Sequence, residues 1–136
     1  MCQNKIFTKY IWHTHPNISK SYPSVQDLFF TLRKTPNISI IFTKWGIWEL
    51  YAGKKYNITK ENIDYFRRKY IDDILAKIYF GTGKGKVDVL NKDQLSVVLE
   101  QTKNLNRIMT HFGFKFIISF TDWRDIGFEY ILKFTN

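Results

Sequence analysis

Cysteine, proline and long apolar runs are all scarce in this sequence. Cys2 is its single cysteine, so an internal disulfide is impossible, which is typical of proteins in a reducing compartment. No stretch approaches the roughly 18 consecutive apolar residues of a membrane span, and the first dozen residues lack the apolar centre of a signal peptide. These absences predict an intracellular protein, most simply a cytoplasmic one, that does not insert into a membrane.

Apolar and aromatic residues are abundant. The 136 residues are 44% hydrophobic and 18% aromatic, which excludes disorder and fits one folded domain over residues 1–136. Lys and Arg number 21 against 12 acidic residues, for a net charge of +9. The chain also has 17 Ile and 9 Asn but only 2 Ala, a composition that indicates an AT-rich coding sequence. Part of the positive charge can therefore follow from codon usage and not from function. We therefore do not expect nucleic acid as a partner, since binding it requires basic residues gathered on one face.

Hydrophobic periodicity predicts a mixture of strands and helices. The α+β fold class follows, as a mixed, largely antiparallel sheet with three helices. Ser24 and Asp27 have the spacing of a helix start. Gly46 supplies the glycine that a tight hairpin turn favours. The predicted order is a strand over 5–12 that runs into a loop at 13–16, a helix over 25–34, a hairpin over 38–51, helices over 59–80 and 92–113, and a terminal hairpin of 114–120 and 128–134.

Two histidines near the end of the first strand suggest a metal site. His13 and His15 are two residues apart, which in a strand puts both imidazoles on one face, about 7 Å apart. Asp27 opens the following helix, and a strand–turn–helix unit would fold it back beside the strand end. Two His and one Asp would leave a fourth position open for water, the pattern of a catalytic zinc site.

The same residues form a longer motif. Residues 13–16 read H-T-H-P, and Ser24 and Asp27 follow as S-x-x-D, which resembles the signature of the JAMM (MPN/JAB-type) zinc metalloprotease family. The resemblance covers residues 7–52, including a short helix and a hairpin. It implies a JAB/MPN-like, cytidine-deaminase-like core over 1–52, and it leaves the helical pair and C-terminal hairpin of 59–136 unassigned.

The resemblance also implies roles for four side chains. His13, His15 and Asp27 would be zinc ligands, and Ser24 would hydrogen-bond the tetrahedral intermediate. The implied substrates are peptide or isopeptide bonds of ubiquitin-like conjugates. The expected activity is that of a zinc-dependent metallopeptidase, or isopeptidase, of the JAMM type.

The general base of that family has no counterpart in the expected place. The family places a glutamate on a strand well before the histidines, whereas the 12 residues before His13 contain no Glu or Asp. Three explanations stay open: the chain is the C-terminal part of a longer protein, it is a degenerate copy that holds metal without turnover, or another glutamate substitutes. Missing early strands would also leave an uncovered sheet edge, where a second chain could pair. The candidate substitutes are Glu49, Glu61, Glu100 and Glu129.

Simpler explanations exist for the same residues. Ser24 and Asp27 can form a capping box without any metal, and Glu49 can be a solvent-facing residue of the hairpin. The alternative function is a non-catalytic MPN-like scaffold or binding module, acting on an acidic partner or a nucleic acid through the net charge of +9.

Overall fold

The computed structural model describes residues 10–15, 21–33, 37–80, 87 and 89–126. These residues form an α+β domain that contains a four-stranded mixed sheet and three α-helices, which confirms the predicted class. The elements are β1 (Tyr10–His15), α1 (Val25–Arg33), β2 (Asn37–Thr43), β3 (Gly46–Ala52), α2 (Lys60–Lys69), α3 (Lys92–His111) and β4 (Phe116–Asp122).

The sheet has the strand order β1-β2-β3-β4. β1 runs parallel to β2, and the β2–β3 and β3–β4 pairs are antiparallel, so the sheet is largely antiparallel as predicted. The predicted hairpin is confirmed, with Lys44 and Trp45 between its strands. The first residue of β3, position 46, requires glycine, because a Cβ there would lie 2.1 Å from the carbonyl oxygen of Thr121 on β4.

The main core lies between the helices and one face of the sheet. Alternation along the strands places Ile41 and Trp48 opposite each other in register, and both are buried in the same apolar cluster as residues of α1, α2 and α3. The cluster includes Leu28 and Leu32 of α1, Phe66 of α2, Val98, Leu105 and Met109 of α3, and Ile118 and Phe120 of β4.

The predicted helix over 59–80 is helical as far as Lys77, but only residues 60–69 are α-helical. α2 ends at Lys69 and continues as a π-helical turn, Tyr70–Ile74, and a short 3₁₀ segment, Leu75–Lys77. The buried residues recur every four positions, at Phe66, Tyr70, Ile74 and Ile78. That spacing exceeds the 3.6 residues of an α-helical turn, and the wider π turn keeps these side chains on the buried side.

The ends of the other elements follow local chemistry. α3 begins after Asn91, which forms a capping box with Gln94, and it ends before Gly113, whose φ of 84° favours glycine. β1 continues through His15, which pairs with Thr43, so positions 13–15 belong to the strand and not to the loop predicted there. The predicted strand over 128–134 lies outside the described residues.

Candidate metal centre

The candidate site lies where β1 ends and α1 begins. β1 and β2 are parallel, and α1 connects them along the chain, which brings the carboxyl end of β1 and the amino end of α1 to the same edge of the sheet. His15 is the last residue of β1, and Asp27 lies in the first turn of α1. The predicted return of the helix start to the strand end is confirmed.

Ser24 and Asp27 form the predicted capping box. The Asp27 amide donates to Ser24 Oγ at 3.0 Å, and the Ser24 amide donates to Asp27 Oδ2 at 2.8 Å. This reciprocal pair satisfies two amides that the helix itself leaves without partners. The simpler explanation of these two residue types is therefore present in the structure.

The capping carboxylate also faces a histidine. Asp27 Oδ2 lies 3.4 Å from His15 Nε2, and the two side chains are 15% and 14% exposed. This distance is longer than the 2.7–2.9 Å typical of a charge-assisted hydrogen bond between nitrogen and oxygen. The same carboxylate oxygen thus serves the helix cap and approaches an imidazole nitrogen.

The third predicted ligand, His13, is described by its backbone alone. The backbone of His13 pairs with Ile41 of β2, two positions before the His15–Thr43 pair. The His13 side chain lies outside the described part of the structure. Among the side chains that are described, no group of three or more His, Cys, Asp or Glu residues could hold a metal ion. The structure therefore brings His15, Ser24 and Asp27 together and does not test His13; Pro16 also lies outside the described residues.

Two hydrogen bonds from distant residues hold the segment before Ser24. Trp48 Nε1 donates to the Ser21 carbonyl oxygen at 2.9 Å, and the Tyr70 hydroxyl donates to the Pro23 carbonyl oxygen at 2.6 Å. Sequence reasoning missed both, because periodicity assigns Trp48 and Tyr70 to the core without naming their polar partners. A Trp or Tyr at a buried position usually has a hydrogen-bond partner for its N–H or O–H group. That rule is the signal that could have predicted a polar contact for each residue.

Tyr70 is buried within this arrangement. Burial raises the pKa of its phenol well above the usual value, and the charges of Tyr22 and Asp27 raise it further. The phenol therefore stays protonated and acts as a hydrogen-bond donor across the physiological range.

The candidate glutamates differ in position. Glu49 pairs with Ile40, whereas His15 pairs with Thr43, and alternation along β2 puts those two positions on opposite faces of the sheet. Glu61 and Glu100 are exposed on α2 and α3, and Glu129 lies outside the described residues. Glu49 therefore faces away from the site, but it is half-buried and is not the fully solvent-facing residue that the simpler interpretation expected.

Two clusters of basic residues lie on the exposed surface of the described part of the chain. Lys54 and Lys55 follow β3, and Arg67, Arg68 and Lys69 form the exposed last turn of α2. A third basic pair in the sequence, Lys84 and Lys86, lies outside the described residues.

Comparisons with protein-family models, curated proteins and solved structures find no match for this chain. The likeness to the JAMM family stays a prediction. It depends on the motif of residues 13–27 and the geometry of His15, Ser24 and Asp27. No helix in the described residues combines the length and apolar character needed to cross a bilayer.

Proposed function

We propose that the chain is a JAMM-like zinc-binding domain in which His13, His15 and Asp27 are the metal ligands. The observation that supports this proposal is the separation of 3.4 Å between His15 Nε2 and Asp27 Oδ2. This contact brings His15, at the end of β1, close to Asp27, which lies twelve positions later at the start of α1. Both residues belong to the motif of the proposed family.

The separation fits two ligands of one zinc ion. Zinc lies 2.0–2.2 Å from imidazole nitrogen and carboxylate oxygen atoms, so two ligands at a tetrahedral angle are about 3.4 Å apart. A direct hydrogen bond between the same atoms would favour a shorter contact. The donor set of imidazole and carboxylate also suits zinc.

The proposed activity is hydrolysis of peptide or isopeptide bonds in ubiquitin-like conjugates. Zinc bound there would supply a Lewis acid that polarises the scissile carbonyl and lowers the pKa of water. Ser24 Oγ accepts the Asp27 amide, which leaves the hydroxyl proton available to donate to a substrate oxygen that gains negative charge. The proposal includes a JAB/MPN-like core and a location in the reducing cytoplasm.

A metal content measurement tests the proposed ligands. Purified chain should carry about one zinc per molecule, and His13→Ala, His15→Ala and Asp27→Ala should each lose most of it. His111→Ala is the matched control, because His111 is exposed in the last turn of α3 and should leave the zinc content unchanged. Equal zinc in all five proteins, or none in any of them, would refute the metal site.

A non-catalytic module is the second candidate function. It is favoured by the register of Glu49, which faces away from the side of the sheet that carries His15. Zinc binding that depends on His15 and Asp27, without hydrolysis of a ubiquitin-like isopeptide conjugate, would support this candidate. Hydrolysis that is lost in His15→Ala would support the enzyme.

A further inference from the structure

One peptide unit connects a buried tyrosine to the candidate metal centre. The carbonyl of Pro23 accepts the Tyr70 hydroxyl at 2.6 Å, and the amide of Ser24 donates to Asp27 Oδ2 at 2.8 Å. That carbonyl and that amide belong to the same peptide bond, which is planar and rigid. Fixing the carbonyl end therefore fixes the direction in which the amide end points.

The carboxylate oxygen at the end of this connection is the one that approaches His15. Asp27 Oδ2 accepts the Ser24 amide and lies 3.4 Å from His15 Nε2. A hydrogen bond to a peptide carbonyl also polarises the amide at the other end and strengthens it as a donor. The Tyr70 hydroxyl is thus placed to control both the orientation and the strength of the hydrogen bond to Asp27.

The position of the hydroxyl is itself set by packing. The ring of Tyr70 stacks on Phe66 with centroids 5.9 Å apart, and Phe66 contacts Phe29 of α1 edge to face at 5.2 Å. Tyr70 is also the first residue of the π-helical turn, a feature that is frequent at functional sites. A rigid aromatic contact to α1 and a hydrogen bond to the residue before its cap hold the tyrosine and the helix start in one arrangement.

We propose, on the basis of the metal site proposed above, that Tyr70 is a positioning residue for Asp27. Its hydroxyl acts through the peptide unit of Pro23 and Ser24 to aim the carboxylate toward the position shared with His15. Residues that hydrogen-bond the ligands of a metal without binding the metal themselves orient those ligands, and their loss typically weakens metal binding by 10- to 100-fold. Since Tyr70 acts through one intervening peptide, we expect the lower value, about 10-fold.

The test measures the affinity of Tyr70→Phe and of the unaltered chain for Co²⁺. Each protein is titrated with Co²⁺ alone, and the visible absorption of the bound ion reports binding. Tyr70→Phe keeps the ring and its packing on Phe66 and removes the hydroxyl. Thr102→Val is the matched control, because Thr102 is buried and its hydroxyl donates to the Val98 carbonyl oxygen within α3 at 2.7 Å. Sucrose, which stabilises folded proteins by exclusion from their surface, is added equally to every titration to keep all variants folded.

The expected result is an affinity for Co²⁺ about 10-fold lower in Tyr70→Phe and unchanged in Thr102→Val. Hydrogen exchange of the Ser24 amide should also become faster in Tyr70→Phe and stay unchanged in Thr102→Val. A general loss of stability would instead make this exchange faster in both variants. If the unaltered chain binds Co²⁺ and Tyr70→Phe binds it equally well, the positioning role is wrong while the proposed metal site stands. If the unaltered chain binds no Co²⁺, the proposed function fails first, and the positioning role fails with it.

Discussion

Replacing Asp27 with asparagine separates its capping role from its proposed role as a ligand. The asparagine side-chain oxygen can still accept the Ser24 amide, as Asp27 Oδ2 does at 2.8 Å. The negative charge near the amino end of α1 is lost, which costs about 0.3–1 kcal/mol through the helix dipole. Asp27→Ala keeps the bond from the amide of residue 27 to Ser24 Oγ but also loses the bond from the Ser24 amide to the side chain, and a hydrogen bond of this kind contributes about 0.5–1.5 kcal/mol. Without metal, Asp27→Asn should therefore be the more stable of the two variants.

Zinc should affect the unaltered chain and Asp27→Asn very differently. A zinc concentration of 100 times Kd stabilises a folded protein by about 2.7 kcal/mol, which corresponds to a rise in Tm of roughly 8–10 °C for a domain of this size. Removing a charged ligand should weaken binding at least as much as the loss of an outer partner, about 100-fold. At the same zinc concentration Asp27→Asn then gains about 0.4 kcal/mol, or roughly 1–2 °C.

Thermal unfolding with and without zinc provides the assay. Asp93→Asn is the matched control, since Asp93 is an exposed aspartate in the first turn of α3. It should lose a similar dipole contribution and keep the full zinc response. Equal zinc-induced shifts in the unaltered chain and in Asp27→Asn would refute the ligand role and leave the capping box as the whole function of Asp27.

Three further predictions concern activity, pH and packing. Without a glutamate placed as base, the chain should cleave a ubiquitin-like isopeptide conjugate about 10²- to 10⁴-fold more slowly than a complete enzyme; a normal rate that His15→Ala abolishes would contradict this. Hydrogen bonds from Arg124 hold the pKa of Asp122 below its usual value, although burial opposes them. The stability from this pair is therefore present above about pH 4 and lost as the pH falls through the lower folded pKa, so Asp122→Asn should show a flatter acid dependence of Tm. Gly46→Ala should cost about 2 kcal/mol or more in chemical denaturation, because its Cβ would overlap a backbone carbonyl of β4, whereas Gly53→Ala, whose nearest neighbour is the Lys115 side chain at 3.3 Å, should cost less than half as much.

Several elements were predictable because their signals are local. The start of α1 follows from Ser24 and Asp27, which bond each other across three residues. The end of α3 follows from Gly113, and the hairpin from a short turn between two apolar runs. Each of these signals acts within a few residues, so neighbouring sequence contains all the information.

The π turn was not predictable in the same way. A run of apolar residues four apart is compatible with an α-helix whose buried face drifts slowly around its axis. Only the requirement that Phe66, Tyr70, Ile74 and Ile78 all lie in one core selects a wider turn at Tyr70. The competition between helical geometry and burial is decided by the surrounding packing.

Some features of the candidate site were likewise predictable from the sequence, and others depended on packing. The sequence by itself determined the residue types and spacing of the motif, the capping box and the return of α1 to the end of β1, since a short connection leaves few other arrangements. Only the tertiary structure decided that Asp27 Oδ2 lies 3.4 Å from His15 Nε2. It also decided that Tyr70 hydrogen-bonds the carbonyl of Pro23, 47 positions earlier in the chain and directly before the cap. The physical reason is that the approach of two side chains distant in sequence depends on how every element between them packs, and no local pattern records it.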